Sequence, residues 1–288
     1  ATITNSYATG SVTATNSYAG GFAGYNTASI SDSYATGAVS SSKSYVGGFL
    51  GYLYNGYTID NCYAQGNVTS TSNAQMVGGF VGRSYNGTIK NSHASGTVDA
   101  SGTTGHYVGG FVGQADGNAQ IYDNYAEGAV SSDGSFTGGF VGYNSAYIME
   151  RNYATGNVDI SGSTGDYAGG FAGYHLRGTG TIEQSYATGN VIGQTGSAVN
   201  DYLGGFIGWL STSADISDCY AEGDVTGYRY VGGFAGRVGS STATTETLTN
   251  CYSTGQITET QSSGGFIGYK QTNSATITAC YWDTTNNS

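Results

Sequence analysis

Proline is absent from the chain, and charge is scarce: 9% of the 288 residues, with 8 basic side chains against 19 acidic. The missing proline and the lack of a three-residue glycine period exclude a collagen-like chain. The acidic balance excludes a nucleic-acid binder, which needs a lysine- and arginine-rich surface. No apolar run reaches the roughly 18 residues of a membrane span. No basic start followed by an apolar stretch is present, so a mature chain or an excised fragment is expected. There are only three histidines (His93, His106, His175) and four cysteines, and neither His-Glu-x-x-His nor Cys-x-x-Cys occurs. Gly-x-Ser-x-Gly and the phosphate loop are missing too. No enzyme, metal or cofactor is expected.

What is present is glycine (50), tyrosine (26) and phenylalanine (10) among many Ser, Thr and Asn. That content is too aromatic for disorder, and its low-charge surface suits an extracellular or cell-surface location. Two phrases alternate along the chain. Gly-Gly-Phe begins at Gly20, Gly47, Gly78, Gly109, Gly138, Gly169, Gly204, Gly232 and Gly264, in steps of 27 to 35 residues. Between copies runs a second phrase, such as "NSYATGSV" at 5–12, "NCYAQGNV" at 61–68 and "DCYAEGDV" at 218–225. Residues 1–288 therefore read as a single repeat array with no second domain and no obvious caps.

Helices are excluded, because apolar residues do not recur at a 3.6 period. Short β-rich runs between Gly/Ser/Asn/Asp clusters are strands and turns. A period near 30 residues predicts an all-β, right-handed parallel β-solenoid of nine to ten coils, each with about three short strands. Equivalent residues then stack about 4.8 Å apart.

Taking the Tyr of the second phrase as position zero, Ser/Cys/Asn, Ala, Gly and Val at −1, +1, +3 and +5 are expected inside. Glu127 and Glu222 at +2 share the parity of the Tyr, and unpaired charge does not face an interior. Tyr7, Tyr34, Tyr63, His93, Tyr125, Tyr153, Tyr186, Tyr220, Tyr252 and Tyr281 should then form an exposed aromatic ladder; the opposite parity would bury them. Phe22, Phe49, Phe80, Phe111, Phe140, Phe171, Phe206, Phe234 and Phe266 form a structural Phe ladder. The Ile at −4 must also point inward, so the chain has to bend at −2, where Asn and Asp recur and tolerate left-handed φ.

Cys62, Cys219, Cys251 and Cys280 share the −1 slot. Each serves either as a small buried residue interchangeable with Ser, or, for neighbours among Cys219, Cys251 and Cys280, as half of a possible disulfide. All three histidines are expected at the surface. Glu150 and Glu183, both at −3 on adjacent coils, are the nearest approach to a carboxylate pair but lie in a solvated slot. Asp116, Asp133 and Asp166 read as loop residues. Possible N-glycosylation sites are Asn67, Asn86 and Asn286.

Gly-Gly-Phe-x-Gly with its Tyr-Ala-x-Gly-x-Val partner resembles the GLUG-motif repeats over the whole chain. The closing "CYWDT" at 280–284 is similar to the way such arrays end. The resemblance implies a large secreted or surface-anchored protein of bacteria or archaea, such as an adhesin or the non-catalytic region of an immunoglobulin-A metallopeptidase. No zinc motif is present, so proteolysis does not carry over, and no ligand residues do.

Two features suggest partners. The chain starts and stops mid-coil, and bare coils expose unpaired backbone. The Gly-Gly-Phe strand is apolar on both parities and asks for cover on both. The leading expectation is an extracellular structural subunit that associates with itself, head to tail or laterally through the Gly-Gly-Phe strand, in a filament or adhesin stalk. The alternative is a binding module whose Tyr ladder holds glycans or a host surface.

Overall fold

The computed structural model describes residues 1–71, 75–101, 107–162, 167–176, 180–196, 202–211, 213–240, 245–259, 261–271, 275–283 and 285. Every described element is a strand, and every strand pairing is parallel and joins one coil to the next. The fold is a β-solenoid. Each coil has five short strands rather than the three expected. One coil runs through Thr58–Asp60, Tyr63–Ala64, Val68–Ser70, Met76–Gly78 and Val81–Tyr85. These belong to a first to fifth sheet, of ten, ten, nine, nine and nine strands. The expectation of nine to ten coils also needs correcting. Nine Gly-Gly-Phe copies enclose eight complete turns, and the tenth strand of the first two sheets belongs to incomplete turns.

Register is strict: Ile59, Ile89, Ile121, Met149 and Ile182 are consecutive Cα partners. The parity change between this column and the tyrosines happens at position −2. Asn5, Asp32, Asn61, Asn91, Asp123, Asp218 and Asn250 all hold φ between 49° and 60°. The left-handed region costs these residues least after glycine. Their side chains also tie rungs together, with Asn61 Nδ2 donating to Asp32 Oδ1 at 2.7 Å and Asn250 Nδ2 to Asp218 Oδ1 at 3.1 Å.

The core has two lobes. The larger holds the Ile column, the Ala column of the second sheet, the Phe ladder, and residues such as Leu50 and Leu53 of the fifth. The smaller is lined by valines of the third and fourth sheets, Val39, Val68 and Val98 against Val46, Val77 and Val108. It continues as Val158, Val191 and Val225 against Ala168, Leu203 and Val231. The valines next to Gly-Gly-Phe are thus covered from inside the chain. Glycine makes the waist between the lobes. A Cβ on Gly109 would lie 2.1 Å from the Val112 carbonyl oxygen and 2.8 Å from that of Phe140. No side chain fits where two backbones approach so closely.

Candidate functional surfaces

The second sheet presents its Tyr column outward, with the interior rungs half-buried. From Tyr7 to Tyr252 successive rings stack at 4.7–5.3 Å between centroids and within 10° of parallel. His93 fills one rung, and burial lowers its pKa. Burial pushes the Tyr220 phenol up to about 12, with Tyr186, Glu222 and Tyr252 adding to it. The rings cover one another's faces, so the ladder shows edges and hydroxyls. A full face is left only near the ends, where Tyr7 is 66% and Tyr281 68% exposed. The Phe ladder is interior. Phe49 through Phe234 are buried, Phe266 is 7% exposed, and Phe22 packs on the core partly covered.

A further aromatic surface was not singled out in the sequence. Two residues before eight of the nine Gly-Gly pairs stand Tyr18, Tyr45, Met76, Tyr107, Phe136, Tyr167, Tyr202 and Tyr230, with Ser262 before the ninth. Five after its first Gly stand Tyr25, Tyr52, Arg83, Gln114, Tyr143, Tyr174, Trp209, Arg237 and Tyr269. The waist brings these columns together as a double row. Tyr45 stacks on Tyr52 at 5.4 Å and Tyr167 on Trp209 at 4.9 Å. Desolvation raises Tyr52 and Tyr143 to about 12. The signal was available as two aromatic-rich columns at fixed offsets from glycine, but nothing in the sequence says that the columns meet.

The cysteines form no bridge. Cys62, Cys219, Cys251 and Cys280 are free thiols, which corrects the possible disulfide among the last three. Stacked side chains run parallel, and each sulfur turns back to a carbonyl two residues earlier: Cys219 Sγ to Ser217 at 3.0 Å, Cys251 Sγ to Thr249 at 3.2 Å and Cys280 Sγ to Thr278 at 3.4 Å. Burial pushes Cys62 to about 11 and Cys251 to about 12.

His175 corrects the expectation of a surface histidine, since it is fully buried. It occupies an inward column of the fifth sheet, as the Cα partner of Leu210. Its Nδ1 lies 3.0 Å from Asn144 Nδ2 one coil away. Desolvation lowers its pKa from 6.5 to about 4, against opposing hydrogen bonds. As pH falls below 6.5 the unfolded chain takes this proton before the folded chain does, so stability is lost from there down to about pH 4. Between pH 7 and about pH 4.5 the cost is roughly 2–3 kcal/mol. His175→Leu should shrink the difference between urea melts at those two pH values by that amount; an unchanged difference contradicts the assignment. His106 lies outside the described residues.

Glu150 and Glu183 are Cα partners on adjacent coils. Glu150 is ion-paired with Arg151, whose Nε also donates to Asp123 Oδ1 at 2.6 Å and holds the Asp123 carboxyl below its usual range. Asp116 is not a loop residue. It ends the strand Val112–Asp116 and binds Arg83 at 2.5 Å. Asp133 lines a polar recess of about 350 Å³ with Ser101, Ser132 and Asp159, and Asp166 lies outside the described residues. Among the described residues no group of three or more His, Cys, Asp or Glu could hold a metal ion. No described helix is long and apolar enough to cross a membrane. Asn67 is exposed, with its Oδ1 accepting from the Thr97 amide at 3.0 Å. Asn86 is half-buried in a turn, its Oδ1 accepting from the Asn118 amide at 2.6 Å, and Asn286 lies outside the described residues.

Five stretches, residues 15–40, 43–69, 73–99, 164–192 and 200–226, match the family model described as the GLUG motif. These five stretches are GLUG repeats. Each matched stretch runs from a few residues before a Gly-Gly-Phe through the whole Tyr phrase that follows, so the GLUG unit is about one coil of the solenoid. Comparison with curated proteins and with solved structures gives no match.

Proposed function

We propose that this GLUG array is an extracellular structural rod, a stalk segment of a filament or surface adhesin that associates end to end. The observation that carries the reading is the uninterrupted stack. Five parallel sheets run the length of the array, and its repeated residues maintain columns. A sequence that spends its repeats on stacking is built to span distance. The Gly-Gly-Phe strand has its cover within the chain, which weakens the case for lateral association and favours stacking along the axis. At one end an apolar recess of about 390 Å³ is lined by Phe266, Ile267, Ile277, Cys280 and Trp282. Trp282 stands there in the slot that Ala221 and Ala187 fill on earlier coils, and its indole lies across Gly265. A further coil, from the same protein or a second copy, would cover this face. Electron microscopy of purified protein at rising concentration tests the reading. Particles should lengthen in multiples of one rod, and monodisperse short rods at the highest concentration would contradict it.

The alternative, adhesion through the Tyr ladder, draws on its unbroken row of hydroxyl edges. A glycan array probed with wild type and with Tyr153→Ala and Tyr186→Ala separates the two readings. Binding that these substitutions abolish favours adhesion; unchanged binding, or none, removes it.

A further inference from the structure

Eight basic side chains serve this acidic chain, and two of the four described arginines are paired with carboxylates. Arg83 is bound to Asp116 and Arg151 to Asp123 and Glu150. Arg229 and Arg237 have no carboxylate partner among the described residues, although both are half-buried. Arg237 occupies the same column as Arg83, so the two can be compared directly. Each lies over aromatic rings: Arg83 is 5.4 Å from Tyr52, and Arg237 is 4.3 Å from Trp209 and 5.3 Å from Tyr202. Each is met by the residue seven after the first glycine of the next coil. For Arg83 that residue is Asp116, which takes Nε at 3.2 Å and Nη2 at 2.5 Å. For Arg237 it is Gln271, whose Oε1 accepts from Nη2 at 3.0 Å while Nε has no partner among the described residues.

From this pair we infer that Arg237 is a binding site for a carboxylated saccharide, a uronic-acid type of sugar. The carboxylate displaces the neutral Gln271 amide and takes the Nε and Nη2 edge side-on, as Asp116 does at Arg83. A guanidinium fork matches a carboxylate in this geometry. The surroundings select a sugar over an acidic peptide. Around the guanidinium stand neutral aromatic rings, Tyr202 at 5.3 Å and Tyr269 at 5.9 Å, and among the described residues no second cation, which an acidic peptide would need, lies over these two rings. Tyr269, 37% exposed and tilted 55° from Tyr230, is the most accessible ring of the cluster and the one placed to meet the C–H face of a pyranose. The ladder of the second sheet, with its faces covered, cannot bind in this way. The site does not depend on end-to-end association of the rod.

The test is calorimetric titration of a glucuronate-containing oligosaccharide, with its carboxyl-reduced counterpart, acetate and an acidic peptide as further probes. The glucuronate probe should bind, more weakly as salt is raised, and the reduced probe at least about tenfold more weakly. Arg237→Gln should lose about tenfold or more. Gln271→Asp should lose as much, because it rebuilds the Arg83–Asp116 pair and fills the site from within. Gln271→Ala should keep or tighten binding, and Arg83→Gln should leave it unchanged. Thermal melts matching wild type show that the variants are folded. No binding by wild type, equal binding by Gln271→Asp, or acetate or the peptide binding as well as the sugar would each overturn the assignment.

Discussion

Gly109→Ala is expected to destabilise the protein by about 3 kcal/mol or more, the upper range for an overpacked site. The three nearest atoms to the added Cβ are all backbone: the Val112 oxygen at 2.1 Å, the Phe140 oxygen at 2.8 Å and the Gly142 nitrogen at 2.9 Å. No rotamer change relieves such a clash, and the waist would have to open over neighbouring coils. Urea melts measure the loss. Gly10→Ala is the control, since nothing lies within 4 Å of its Cβ position. Equal losses at the two glycines would show that local backbone preference, not the close approach of sheets, governs these positions.

Phe140→Ala is expected to cost about 3–5 kcal/mol. Its ring is fully buried and sandwiched between Phe111 at 4.8 Å and Phe171 at 4.9 Å. Truncation leaves a cavity lined by two aromatic faces, which strict strand register prevents from collapsing. Phe266→Ala should cost less, because among the described residues that ring is stacked on one side only, by Phe234, and lies beside the open recess. Solenoid coils are stabilised mainly by their neighbours. A central loss should therefore split the array's cooperative melt, whereas a terminal loss should only fray one end. Equal costs at Phe140 and Phe266 would contradict that view.

The repeat, the solenoid and the inward columns were legible because stacking demands a similar residue on every rung. Ile30, Ile59, Ile89 and Ile121 recur for that reason. Strand number was not legible. Strands of two residues, such as Tyr63–Ala64, separated by left-handed kinks at residues like Asn61, leave no alternation to read. The smaller lobe was hidden because glycine carries no sign of what lies against it. Val46 and Val77 looked uncovered until their own chain folded Val39 and Val68 over them. His175 was misplaced because it lies beside the loop-like sequence RGTG at 177–180, and only its pairing with Leu210 reveals the column. The Arg237 site needed the comparison of Asp116 with Gln271, which hold equivalent places on coils five rungs apart.

The central claim, that successive coils rise along one axis as an open stack, is tested most directly by distances between paired spin labels on the second sheet. Thr36, Thr155, Thr188 and Thr254 all sit two residues after a ladder tyrosine. From Thr36 these lie four, five and seven rungs away, which predicts separations of about 19, 24 and 34 Å at a 4.8 Å rise. A distance that grows in proportion to rung number supports the rod. One that levels off or turns back, as in a closed ring of blades, would contradict it.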